Sequence, residues 1–458
     1  IARPLWARWE HQNTGDDAVY VSWHTNGYNG HNTTAWGTVS FIHSFQPVTG
    51  SAALRDAIHY QLVNDARAGW DPNWRDLGLA SKDLGELREL WDDDPANAIP
   101  GALIEVAYHD HITDTDALKD PRFAQLSARA VYQGIVKYFG ADLPLLPEPP
   151  THLTVRNDSA GRLTLRWRPS PIDSVGLRGD AAKGYRVYTS RDGLGWDNGR
   201  TVLSTTHTLT GLQEGALVFV RVTAFNAGGE SFPTPVLGAR VASPQKGMAP
   251  ILVVDGFDRI DRHGTLIEDD PIEGRNARLW PEQINNYDYV IEHGQAILLP
   301  FDSAVNEAVQ DADLSLSLYR IVDWILGEES LVDHTFDASE QAALATYLNE
   351  GGGLFVSGAK VGWDLVTLDH GPDFYHTYLG ADMAGDDAGT YWVTPTTAGI
   401  FDGLGPLAFR DNYDVDAPDQ LRPLGDSVAA LDYVGGAGGV AAVQYDAGDC
   451  RRVIYMGF

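Results

Sequence analysis

A chain of 458 residues exceeds what one hydrophobic core ordinarily serves, and at ~100–200 residues per domain it divides into about three. Its 43% hydrophobic content is that of a soluble protein, and no apolar run reaches the ~18 residues that would span a bilayer, which excludes a membrane-embedded fold. A net charge of −30, with no local basic stripe, argues against nucleic acid as a partner.

Cys450 is the single cysteine, so no internal disulfide forms and the folds must hold by core packing or by metal. The chain starts at Ile1 rather than Met, shows no secretion signal and stops within the strand-like run RRVIYMGF; we read it as truncated at both ends. Prolines in LPLLPEPPTHL (143–153) and ASPQKGMAP (242–250) impose extended connections. The resulting segments are 1–145, 148–242 and 248–458, and no internal repeat joins them.

Segment 1–145 alternates strand-like runs (DAVYVSWH, TVSFIHSF, GALIEVAY) with helical patterns, the mark of an α/β layer. Leu54, Ile58 and Leu62 share one helical face. Phe123, Leu126, Ala130, Ile135 and Tyr138 form a second apolar stripe that Gly140 caps. In VSWHTNGYNG, His24 stands at a strand end, where a side chain can point into a crevice; taken alone, such a histidine is more often structural than a ligand. Glu105 sits inside the apolar run ALIEVAY. A carboxylate buried in a strand costs several kcal/mol unless it is paired, metal-bound or protonated, and a structural salt bridge is the alternative reading.

Taken together and in order, these elements resemble the zinc-dependent N-acetylmuramoyl-L-alanine amidases. There, a strand-end S-x-H-x-N motif supplies a zinc histidine and P-x-x-L-x-E supplies the catalytic glutamate. Here the motifs read Ser22, His24 and Asn26, then Pro100, Leu103 and Glu105, and GTVSFIH, DLGLASKDLGELREL and LKDPRFAQLSARAVYQGIVKYF continue the likeness. The resemblance implies an α/β amidase domain lacking its N-terminal part, acting in the periplasm or outside the cell. Its reaction would be hydrolysis of the amide between N-acetylmuramic acid and L-alanine in peptidoglycan. It further implies Zn2+ held by two histidines and one glutamate with an open fourth position. Glu105 would move the proton from water to the leaving amine, its carboxyl raised in pKa by apolar surroundings.

His24 is one implied ligand, and the other two family ligands are expected upstream of residue 1. His31, His43, His59, His109 and His111 stand in no recognisable ligand spacing with it. Asn26 and His111 are candidate substrate contacts, the latter in AYHDH where the family commonly has G-F-x-x-N. Peptidoglycan is itself anionic, so the net charge does not steer the chain to it. A non-catalytic envelope-binding or adhesion protein with a degenerate amidase-like domain is the competing reading.

Segment 148–242 carries the short alternating runs RLTLRW, GYRVYTS and VFVRVTAF, spaced as in an all-β sandwich. It resembles a fibronectin type III domain through Pro149 and Pro150 at its start, the core Trp167, Tyr185 and Tyr188, Leu212, and RVTAFNAGGES. Val218 stands where that family usually has its corner tyrosine.

Segment 248–458 places PILVVDGF, YRIVDWILG, GLFVSG and RRVIYMGF between helical stretches, the pattern of an α/β doubly wound domain. Asp337 and Glu340 predict a capping box for ASEQAALATYL. ILVVDGFDR, FDSAVNEAV, GGGLFVSGAKVGWDL and APDQLRP resemble the golvesin-like domains of bacterial envelope proteins, with Lys360 near a position usually acidic. Asp255, Glu328, Ser357 and Asp364 are expected at strand carboxyl ends, with Ser357 on an elbow-like turn, although FVSGA is not G-x-S-x-G. Trp280, Trp324, Trp363 and Trp392 are read mainly as core, with sugar stacking as the alternative. No motif assigns an oligomeric state.

Overall fold

The computed structural model describes residues 2–28, 34–140, 143–158, 161–172, 179–243, 249–261, 266–271, 274–278, 285–329, 334–409, 415–446 and 451–458. His31, Trp280 and Cys450 lie outside them.

Segment one runs α1 (Ala2–His11), β1 (Tyr20–Asn26), β2 (Thr38–His43), α2 (Ser51–Gly69), β3 (Asp76–Lys82), β4 (Gly101–Tyr108), α3 (Ile112–Leu118) and α4 (Pro121–Phe139). Its four strands order as β1-β4-β2-β3, with β1 parallel to β4 and β2 antiparallel to it. Successive strand residues face opposite sides of a sheet. Ile104 therefore packs with the fully buried Leu54, Ile58 and Leu62 of α2 and with Phe123 of α4, while Leu103 packs on the other side with Leu87, Leu90 and Ile99. The helical stripes read from sequence are the faces that bury. Gly140 receives the end of α4 with its N–H on the Val136 carbonyl. Helix α1 and strand β3 are elements that periodicity did not single out.

Segment two contributes β5 (Thr151–Asp158), β6 (Arg162–Arg168), β7 (Gly184–Ser190), β8 (Arg200–Val202), β9 (Thr206–Leu209), β10 (Leu217–Asn226), β11 (Gly229–Glu230) and β12 (Leu237–Arg240). Two antiparallel layers result, β9-β6-β5 and β8-β7-β10-β12. Trp167 and Tyr185 meet edge to face in the core at 5.5 Å. Val218 is a ladder partner of Ala239.

Segment three begins β13 (Ile251–Asp255), the hairpin β14 (Leu266–Asp270) and β15 (Gly274–Arg278), α5 (Val290–Ala296), β16 (Phe301–Val305), α6 (Asn306–Gln310), β17 (Ile321–Gly327), α7 (Ala338–Asn349) and β18 (Gly353–Gly358). Together with β25 (Arg452–Met456) they build five parallel strands ordered β16-β13-β17-β18-β25. That order places β16 and β17 on opposite sides of β13, so the carboxyl ends of β13 and β17 flank a topological switch point. The α7 capping box is formed: Asp337 accepts from the N–H groups of Ser339 and Glu340, and Glu340 accepts from that of Asp337.

The sequence reading did not anticipate an antiparallel lobe between β18 and β25. It comprises β19 (Ala381–Gly385), β20 (Trp392–Pro395), β21 (Leu407–Ala408), β22 (Gln420–Pro423), β23 (Val428–Tyr433) and β24 (Val440–Asp446), and it joins the parallel strands through β24 and β25. Nor are the second and third segments separate in packing. Strand β16 pairs with β5 and with β12, and one apolar core runs from Leu153 through Trp324 to Tyr455. Trp324 is fully buried and Trp392 is exposed.

Candidate functional site

Strands β1 and β4 begin together, with Tyr20 donating its N–H to the Pro100 carbonyl at 2.8 Å. Parallel pairing from that point sets Ser22 against Leu103 and His24 against Glu105. Register partners on neighbouring strands project from the same face, so the two motifs, far apart in sequence, lie side by side. The ladder becomes irregular immediately after this pair, and Asn26 comes opposite Tyr108. His24 and Glu105 therefore form the last pair before that irregularity, two residues short of the end of β1 and three short of the end of β4.

Glu105 is also the register partner of Val39 in β2, and every other residue of β4 is buried. Burial pushes its carboxyl up to about 7, reinforced by the negative charge of Glu86 and opposed by Lys82. Its Oε2 is buried with no hydrogen-bond partner among the described residues. The salt-bridge alternative is thus not what holds this side chain. A carboxyl with that proton affinity can take a proton from water and return it near neutral pH.

Half-buried His24 is the adjacent imidazole. An unpartnered carboxylate oxygen beside an imidazole fits a site with one nitrogen ligand and one base. The described residues do not complete a three-ligand cluster around His24, since the one group of three or more His, Cys, Asp or Glu side chains close enough to share a cation lies in segment three. The other described histidines of this segment have structural partners. His43 meets Asp83 at 3.0 Å, His59 is fully buried between Ser40 and Asp76 at 2.9 Å each, and His109 meets Thr25 at 3.1 Å. His111 is buried, its ring stacked on Trp36 with centroids 6.1 Å apart. Asn26 accepts the N–H of Gly27 at 2.9 Å.

Asp114 escaped the sequence reading. Fully buried in the first turn of α3, it accepts the N–H groups of Gly37 at 2.8 Å and Tyr108 at 2.7 Å, tying the end of β4 to the loop before β2. The acidic residues clustered after HDH gave no way to tell which one turns inward.

In segment three the expected crevice residues lie near or beyond strand carboxyl ends, each with its own partners. Asp255 ends β13 with its Oδ1 unpartnered among the described residues, and burial pushes its carboxyl up to about 8. It helps line a cavity at the junction with Pro233 and His152 of segment two. Glu328, raised to about 8 by burial and then by Asp416, accepts the Asp416 N–H. Ser357 is still paired within β18, between Ile325 and Met456, rather than on the elbow expected for it: it is the last β18 residue paired with β25, and the β17 ladder turns irregular just after it. The positive φ that makes the turn falls on Lys360 instead, at 58°. Asp364 is fully buried on the following π-helical turn, Trp363–Thr367.

Residues 148–239 match the fibronectin type III domain model. An uncharacterized cell wall amidase of Bacillus anthracis is 31% identical over 134 residues, which is 28% of this chain and 22% of that protein. The chain thus spans about a fifth of the length of this curated relative. Among solved structures, the CwlD amidase of Clostridioides difficile in complex with the GerS lipoprotein is similar at 22% identity, covering 30% of this chain and 62% of that one, with a TM-score of 0.24. An N-acetylmuramoyl-L-alanine amidase from Clostridium difficile 630 is similar at 21% identity, covering 30% and 66%, with a TM-score of 0.24.

Proposed function

We propose that segment one is the zinc-dependent part of a cell-wall amidase that acts outside the cytoplasm on the bond between N-acetylmuramic acid and L-alanine in peptidoglycan. The register pairing of His24 with the unpartnered, near-neutral carboxyl of Glu105 carries this reading. Similarity to a cell wall amidase over part of the chain supports it.

His24 would hold the zinc as one of its imidazole ligands. Bound zinc supplies polarisation of the scissile carbonyl and acidification of a water molecule. Glu105 takes a proton from water as the water oxygen bonds to the carbonyl carbon. It then delivers that proton to the alanine nitrogen as the carbon–nitrogen bond breaks, leaving a lactyl carboxylate and a free amine. The near-neutral pKa lets one side chain do both. The fibronectin type III domain and segment three are assigned a positioning or binding role.

The test is zinc content together with release of stem peptide from purified peptidoglycan, using the full-length gene product beside Glu105→Ala. Zinc in both proteins, with cleavage in the parent alone, is expected. Folded parent protein that neither binds zinc nor cleaves overturns the proposal in favour of a non-catalytic envelope-binding protein. Unimpaired cleavage by Glu105→Ala removes Glu105 from the mechanism.

A further inference from the structure

Beyond the carboxyl ends of the neighbouring parallel strands β17 and β18, two histidines and one aspartate come together. His334 belongs to the loop that leads into α7, Asp364 to the turn that follows β18, and His370 to the chain just after that turn. Adjacent parallel strands put the segments that follow them side by side, so topology rather than sequence proximity brings His334 to the other two.

Asp364 is the anchor. Its Oδ2 accepts both the N–H and the Oγ1 hydroxyl of Thr335, at 2.9 and 2.7 Å, which fixes the carboxylate plane. Its Oδ1 faces two imidazoles through the same kind of atom, Nδ1 of His370 at 2.7 Å and Nδ1 of His334 at 3.5 Å. The two rings meet edge to face with centroids 4.2 Å apart. Within the cluster, one ligand atom from each residue lies within 4.8 Å of the other two. Asp364 has no exposed surface, whereas the histidine side chains are 49% and 38% exposed, so the group is rooted on one side and open to water on the other.

We propose that His334, Asp364 and His370 bind a divalent transition metal ion of the zinc class, at a site separate from His24. A tetrahedral ion with ligand bonds of ~2.0–2.2 Å sets its ligand atoms roughly 3.4 Å apart. The His334 pair already has that spacing, and the half-exposed His370 needs only to draw back by under roughly 1 Å to match it. Two nitrogens and one oxygen suit zinc, cobalt or copper and provide too few oxygens for calcium or magnesium. Thr335 holds the carboxylate from behind, as a residue outside the ligand set commonly does. Solvent completes the coordination on the exposed side.

The test titrates chelator-treated full chain with Co2+, followed by its visible absorption, and with Zn2+ by calorimetry. Tetrahedral cobalt absorption is expected in the parent and in His24→Ala. His334→Ala/His370→Ala, which changes only half-exposed side chains, is expected to lose the share of that absorption that persists in His24→Ala and to weaken zinc binding more than ~100-fold at this site, and Thr335→Val to weaken it ~10–100-fold. Undiminished absorption and affinity in the double histidine variant overturn the proposal. Absorption abolished by His24→Ala alone overturns it equally, while leaving the amidase proposal intact.

Discussion

Asn157 of the fibronectin type III domain is hydrogen-bonded twice to Asp302 of β16, by its backbone N–H at 2.7 Å and its side-chain Nδ2 at 2.8 Å. Tyr319 donates to the second oxygen of Asp302 at 2.9 Å, and Asn157 Oδ1 accepts from Ala242 at 2.6 Å. These groups are buried where the sandwich and the parallel sheet share a core. Asn157→Ala leaves a buried acceptor and a buried donor short of partners, and is expected to lower stability by about 2–4 kcal/mol. Urea denaturation, followed by tryptophan fluorescence and circular dichroism, measures the loss. A change below about 0.5 kcal/mol means the junction is held by apolar contact alone.

Glu105→Gln should separate stability from activity. The folded-state pKa of Glu105 lies near 7, above its ordinary value of about 4.3. Its favourable contribution to folding is therefore complete below about pH 4 and lost as pH rises through 7. A neutral amide escapes that loss, so Glu105→Gln is expected to melt higher than the parent at pH 8 but not at pH 4, while losing peptidoglycan cleavage. Thermal melts at the two pH values decide it; equal melting temperatures at pH 8 contradict the burial argument.

The same sign holds for segment three, where burial pushes Asp255, Glu328 and Glu340 up to about 8 and Asp419 up to about 7. Each of them is stabilising while protonated and opposes folding once ionised. The melting temperature of the chain should fall from about pH 5 to about pH 8 and level off above that, as far as these groups govern it. Asp255→Asn, at a carboxyl with an unpartnered oxygen, should reduce that slope. Scanning calorimetry across the range tests both, and a flat profile is the contrary result.

Gly134→Ala is expected to destabilise segment one although alanine is the better helix former. A β-carbon on Gly134 would come within 2.5 Å of Ile58 Cα and 2.9 Å of the Ile58 nitrogen, which are backbone atoms of α2 that cannot step aside. Overpacking of this kind costs roughly 1–3 kcal/mol, more than the ~1 kcal/mol gained in propensity. Chemical denaturation of the variant should show a lower midpoint; a higher one would mean the two helices can separate without loss.

By itself the sequence determined the helical faces of α2 and α4, the sandwich, the capping box of α7 and the two motifs centred on His24 and Glu105. All of these are written in spacing along the chain: a period near 3.6 or 2, a cap, a short motif. Tertiary structure alone decided that His24 and Glu105 are register partners, that Asp114 turns inward while the nearby Asp116 does not, and that Ser357 stays in the sheet while Lys360 makes the turn. It also decided that β16 joins the sandwich to the parallel sheet, and that His334 reaches Asp364 and His370. Each of these depends on which strand lies beside which. Strand order follows from burying all the apolar faces at once, a property of the whole chain that no local window contains.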